Sequence, residues 1–404
     1  MAAFSASDAL PILKEIYPNG RVPRELWYKN APLLALLPKD EDAYGEHVKV
    51  PLLYGHPQGR SASFAEARAN VTGSKYAAFE VDTMDDYAVA QITGRAIDKG
   101  KKDRGSFVRT FKGELQGSQR QLKRSMVHAL YRNGGGAIGQ VGAYTATQTT
   151  FTLADVRDAV FLEVGMELQA DTTDGTSGSV HSGSATITAI NRQTGVVTTD
   201  SAWDSQITGF AANDYIFVDG DFGAKLHGLE AWIPSSAPGV TAFNGVNRSV
   251  DTTRLGGVRY DGSAQPIEEA LIDGTELVVR EGGEPDVIVV HTKTFANLAK
   301  ALGSKVTFGM RDAYDAKLSF KTIKLAASHG EIDVIADPNA QGDVAWVLQL
   351  DTWTLHSMGP TPRLLDDDGN PYLRQHDSDG VEIRSVYRAN LGCGAPGWNG
   401  RIAL

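Results

Sequence analysis

The clearest periodic stretch of the chain runs from Ser106 to Arg132, where Phe107, Val108, Phe111, Leu115, Leu122, Met126 and Leu130 recur at spacings of mostly three, four or seven. Such spacings place them on one face of a long helix. Ser106 is a good N-cap, and Asn133 and Gly134 tolerate the left-handed backbone that closes a helix. The glycines that follow spell GGGAIG at 134–139, matching G-x-G-x-x-G. A dinucleotide loop of that form needs a buried strand before it and a helix after it. Here a helix precedes it, and "QVGAYTATQTTFTL" after it has no helical period. The glycines therefore end a helix and imply no cofactor.

On either side the pattern changes. Residues 1–44 hold short apolar clusters (Ile12, Leu13, Ile16; Leu26, Trp27; Leu33, Leu34, Leu36, Leu37) interrupted by Pro11, Pro18, Pro23, Pro32 and Pro38. They predict an arm that cannot make its own core and must be covered by the rest of the molecule or by a neighbouring chain. Residues 45–94 give two strand-like runs, "GEHVKVPLLYG" and "KYAAFEVDTMDDYAVAQIT", around a polar stretch with Pro57, Gly59 and Gly73. That pattern predicts a long hairpin with a mobile tip, marginal in water without a partner surface.

From 146 to 222 the texture is Thr, Ser, Gly and β-branched residues, with strand candidates "TTFTLADV", "MELQAD", "SATITAI", "GVVTTD" and "DYIFVDG". Short strands at this spacing predict a small β-barrel or sandwich. Its expected core is Phe161, Val164, Met166, Leu168, Ile187, Ile190, Val197, Trp203, Ile216 and Phe217, with Gly134–Gly142 as a flexible entry and Gly220–Gly228 as the exit. Residues 265–354 mix types: "PIEEALIDGTELVVREG" and "TKTFANLAKALG" have helical period, the latter closed by Gly303. "PDVIVVH", "IDVIADP" and "DVAWVLQLD" read as strands, and the last fifty residues return to extended structure.

Composition narrows the function. The 404 residues are 42% hydrophobic and 22% charged, enough for a large core in several domains. A net charge of −10 argues against a surface that grips nucleic acid throughout. Locally, however, Lys99, Lys101, Lys102, Arg104, Arg109, Lys112, Arg120, Lys123 and Arg124 face only Asp98, Asp103 and Glu114. That run reads either as a solvated helix face or as a surface for a polyanion or an acidic partner. The single cysteine, Cys393, excludes an intrachain disulfide and reads as a packed small residue. No basic leader or membrane-length apolar run occurs, which places the chain in a cytoplasm or among products released by lysis.

No catalytic, cofactor or metal site emerges. H-E-x-x-H, G-x-S-x-G and G-x-x-x-x-G-K-[ST] are absent, and the nine histidines lack ligand spacing. "DDDGN" at 366–370 would put Leu364 where a calcium loop needs an oxygen, so it reads as a turn.

The order of parts, an arm, a long hairpin, a long basic-sided helix, an α+β unit containing "PDVIVVHTKTFANLAKAL" and a β-rich C-terminus, resembles the major capsid proteins of tailed bacteriophages of the Hong Kong 97 type. The stretch "FLEVGMELQAD" through "LHGLEAWIP" is similar to a β-barrel insertion found in some of them. The resemblance implies an α+β fold with an N-terminal arm (1–44), an E-loop hairpin (45–94), a spine helix with part of the P-domain (95–145), an inserted β-barrel (146–222), a P-domain return (223–264), an A-domain (265–354) and P-domain C-terminal strands (355–404).

It implies a structural protein that self-assembles into hexamers and pentamers of an icosahedral shell around double-stranded DNA. The implied partners are the chain itself, a scaffolding protein, a portal and a decoration protein, without a membrane. The virion would be assembled in the bacterial host cytoplasm, and Lys112, Lys123 and Arg124 would contact DNA or scaffold on the inner wall. A charge-rich scaffolding segment is not seen ahead of the arm, so scaffold is expected as a separate protein or as a part already removed. Some relatives join subunits through Lys–Asn bonds; Lys49 and Lys75 lie in the hairpin without a recognisable match, so no cross-links between subunits are expected. Two alternatives stay open: a β-rich phage adhesin or decoration protein, and a cytoplasmic α/β enzyme.

Overall fold

A computed structural model describes residues 31–43, 45, 47–94, 104–303, 308–312, 319–327, 330–365, 373–374 and 379–404; of 104–115, 308–312 and 319–321 it describes the backbone only. Most of the arm, the cations Lys99, Lys101 and Lys102, and the 366–370 segment lie outside the described residues.

The long helix spans Arg104–Ala129, and its buried face carries Leu122 and Met126, continued by buried Leu130 just past its end. It lies on a six-stranded sheet whose spine is the long strand Val381–Cys393, paired antiparallel to Met84–Ile92 on one side and Trp353–Ser357 on the other. Ser118 and Ser385 hydroxyls meet at 3.2 Å where helix and strand touch. The arm's leucines are covered by the same chain: Leu33, Leu34, Leu36 and Leu37 sit in the main core, and Lys39–Asp40 adds a parallel strand beside Leu355 and His356.

The hairpin pairs Val48–Gly55 with Lys75–Val81, from Val48 opposite Val81 to Gly55 opposite Lys75. The second sequence run is not one strand. It breaks at Asp82 and Thr83, and Met84–Ile92 joins the other sheet.

A seven-stranded mixed sheet forms the α+β unit, in the order 258–261, 400–403, 344–348, 287–290, 330–336, 319–327, 308–312. Val287 and Val289 point into the main core, while Ile288 and Val290 face the helices Ile267–Arg280 and Thr292–Leu302. Both faces are covered, which is why "VIVV" is an unbroken apolar run. Two of these strands lie outside 265–354, because Val258–Asp261 and Gly400–Ala403 pair in parallel at one edge and Gly400–Ala403 also pairs with Val344–Leu348.

The third sheet runs 185–186, 167–171, 215–218, 139–143, 150–153, 196–198, 189–191. Its two edge strands are separated only by Ile187 and Thr188, so the sheet curls round into a barrel. Four of the five expected strands fall where the sequence pattern put them, "SATITAI" is split into the two edge strands 185–186 and 189–191, and one strand is added. Gly139–Ala143, expected to be part of a flexible entry, is a central strand between Tyr215–Val218 and Thr150–Leu153.

Nor is its approach loose. A Cβ on Gly135 would come within 2.1 Å of the Asp174 carbonyl, and one on Gly175, at φ +88°, within 2.0 Å of the Gly135 carbonyl. Two backbones abut there, which only glycine permits. Leu168, Ile187, Val197, Trp203 and Ile216 fill the barrel as expected, together with Phe151, which meets Trp203 edge-on, and Phe210, which stacks on it. Val164 is instead exposed, lying in the turn before Gly165. Phe217 is buried outside this cluster against Phe222.

Candidate assembly surfaces

The hairpin has two unlike faces because side chains alternate along each strand. Phe79 and Val81 are buried, and with Val50, Leu52 and Ala77 they pack on the main core. The opposite face presents Pro51 across from Ala78 and Leu53 across from Tyr76, with Lys49 paired to Glu80 at 3.0 Å. Leu53 is 42% exposed and Tyr76 72%; at the tip Phe64 is 83% exposed and Val71 68%. Four large apolar side chains in water on one projection cost free energy that a covering surface would recover.

Its base is fixed. Phe79 packs edge-on against Trp232 at 4.8 Å, the Arg248 guanidinium sits 4.1 Å over the Phe243 ring, and the Glu80 amide donates to the Asn244 carbonyl at 2.9 Å.

The structure separates the basic residues singled out in the sequence. Lys123 is exposed. Arg124, its neighbour, is half-buried, pairs with Glu163 at 2.6 Å and sits 5.8 Å over Phe161, so it joins helix to barrel. Lys112 is on the same helix, with only its backbone described.

A seam of charge that the sequence did not disclose holds the barrel to the body. Arg132 pairs with Asp158 at 2.9 Å, and Arg157 reaches both Asp155 at 2.7 Å and Asp343 at 2.9 Å. They line a cavity of about 150 Å³ with His291, Gln341 and Gly342. Burial pushes the Asp158 carboxyl up to about 6, although Arg132 pulls it down. His291 is held below its ordinary value by burial and then by Arg157. Every charge in this seam is matched within it, which suits a fixed joint better than a ligand site. Arg157 and Asp343 lie 186 positions apart, so no local spacing could have paired them. Among the described residues no cluster of His, Cys, Asp or Glu could hold a metal, and no helix is long and apolar enough to cross a membrane.

Residues 207–369 match the family model described as SU10 major capsid protein. Among solved structures, a subunit of the cyanophage A-1(L) capsid shares the fold at a TM-score of 0.55 and 11% identity, covering 97% of this chain and 98% of that one. Looser likenesses are the capsid of phage XM1 (TM-score 0.47, 8% identity, 95% of each chain) and that of an empty GTA particle (0.45, 11%, 95% of this chain and 99% of that one). No curated protein matches. The family model covers residues 207–369, and the fold of the whole chain is that of a tailed-phage capsid subunit of the Hong Kong 97 type, a likeness that supports a structural, shell-forming role.

Proposed function

We propose that the chain forms hexamers and pentamers that close into an icosahedral shell around double-stranded DNA, assembled in the cytoplasm of a bacterial host. The observation that carries this reading is the hairpin, rigidly based in its own subunit but apolar and uncovered on its outward face and tip. A second subunit is the covering surface that repetition in a shell supplies at every copy. A separate scaffolding protein and a portal would direct closure. The barrel is read as an inserted domain at the outer surface or between capsomers, where its Thr- and Ser-rich turns could receive a decoration protein. Lys123 and Lys112 are assigned to the inner wall, in non-specific contact with packaged DNA or an acidic scaffold. Electron microscopy of the purified recombinant protein tests the reading: shells, sheets or capsomers are expected, and a strictly monomeric protein under all assembly conditions would overturn it.

A further inference from the structure

Beneath the long helix, residues far apart in sequence meet in one buried node. The ammonium group of Lys225, its side chain 9% exposed, donates to Asp86 Oδ2 at 2.6 Å and to Asp221 Oδ1 at 2.9 Å. It also lies 3.1 Å from Ser125 Oγ, and that hydroxyl donates to the same Asp86 oxygen at 2.6 Å. Asp86 and Asp221 are themselves only 13% and 21% exposed. The Tyr387 side chain is buried beside them, and burial followed by the charges of Asp86 and Asp221 keeps its phenol protonated.

One cation here serves two carboxyl groups. Burial pushes Asp221 up to about 6, with Lys225 lowering it and Asp86 raising it, so this carboxyl exchanges a proton near neutrality. An ion pair taken out of water gives up the hydration of both partners, and amine and carboxyl are left facing each other with little solvent between them. Held in contact, amine and carboxyl need no encounter, and the effective concentration of one at the other is very high. A nucleophilic amine, an acceptor carboxyl and a second carboxyl able to carry protons are the groups that amide condensation requires.

We propose that Lys225 and Asp86 condense into an isopeptide bond within the chain, with Asp221 carrying the protons. Lys225 Nζ gives a proton to Asp221 and attacks Asp86 Cγ. The Nζ–Cγ bond forms, and the bond from Cγ to one carboxylate oxygen breaks. Two of the three ammonium protons leave with that oxygen as water, passed through Asp221, and a neutral amide with one N–H remains. No oxidant, cofactor or further reactant enters the balance. Asp86 is the acceptor because its contact is the shorter and because the Ser125 hydroxyl polarises its carboxyl. The bond would tie the strand Met84–Ile92 to the segment leaving the barrel. Because it lies inside one chain, it produces no ladder in denaturing gels.

The test is the intact mass of the full chain in denaturant, from purified subunits and from assembled particles. The parent chain is expected to be lighter than its sequence by one water, and a proteolytic digest should contain a branched peptide joining positions 86 and 225. Lys225→Arg and Asp86→Ala should both show full mass. Asp221→Asn, confirmed as folded by circular dichroism, should form the bond at least tenfold more slowly. Full mass for the folded parent in both subunits and particles overturns the proposal and leaves the node an ion-pair cluster. A branch joining Lys225 to Asp221 overturns the assignment of Asp86.

Discussion

The Tyr131 hydroxyl donates to Asp337 Oδ2 at 2.8 Å, and the Leu33 amide reaches the same oxygen at 3.4 Å. One fully buried carboxyl thus joins the end of the long helix, the arm and the loop after Gly330–Ala336. Burial raises the pKa of Asp337 despite these donors and those of Asn339. Tyr131→Phe removes a donor without changing shape, leaving a buried acceptor short of one bond. The expected loss is about 1–3 kcal/mol in urea unfolding. A variant within about 0.5 kcal/mol of the parent would show that this contact is not a strut.

Deletion of residues 57–74 should leave a folded subunit that does not close shells. The tip makes local contacts such as the bridge between Gln58 and Thr72, while Phe64 and Val71 stand in solvent. Normal particles from the deletion would mean that the tip is dispensable for assembly.

The barrel should fold alone only when Gly139–Ala143 is included. A fragment of 146–222, the segment that composition marks out, lacks the strand between Tyr215–Val218 and Thr150–Leu153. It should be non-cooperative, whereas 137–222 should show β-type circular dichroism and a cooperative melt. A cooperative melt from the shorter fragment would contradict the sheet order as the source of its stability.

Asp158 supplies a pH signature. Its folded value of about 6 lies above the ordinary 3.8, so the stability it contributes is full below about pH 3.8 and is lost as pH rises through about 6. Buried His128 and His227, both held low by burial first, act in the opposite sense and lose stability as pH falls through about 6.5. Comparing variants cancels the histidines. The stability of the parent minus that of Asp158→Asn should fall by on the order of 1 kcal/mol between about pH 5 and about pH 7.5. A difference that stays flat or grows would place Asp158 in water rather than in the seam.

Changing Lys112, Lys123 and Arg124 together to Gln should reduce packaged DNA or scaffold-dependent assembly, with the parent's contacts weakening as salt rises. Arg124→Gln alone should act through its Glu163 pair and lower stability without altering salt dependence. If the triple variant assembles and packages like the parent, the basic run is a solvated helix face.

The elements with a strong period were legible before any coordinates. Leu122, Met126 and Leu130 announce a helix because each apolar position repeats the same face, and "VIVV" announces a strand covered on both sides. The strand Gly139–Ala143 was not legible, since its glycines look like flexibility and are instead required by neighbouring backbone. The break at Asp82 and Thr83 was hidden as well, because alternation continues across it while the strand changes sheets. Charge partners were the least legible of all. Arg157 and Asp343, or Lys225 and Asp86, are brought together by tertiary packing, and nothing in either neighbourhood names the other.

The strand Gly400–Ala403 lies inside its sheet, between Val258–Asp261 and Val344–Leu348. Its place cannot be filled until residue 403 has left the ribosome, so an inner strand of this sheet is added well after Val344–Leu348 has been made. Chains cut short by stalled translation would lack that strand and leave Val344–Leu348 with an open edge. Topology thus marks a broken chain: one that stops short of residue 403 carries an unpaired inner strand for cellular quality control to find.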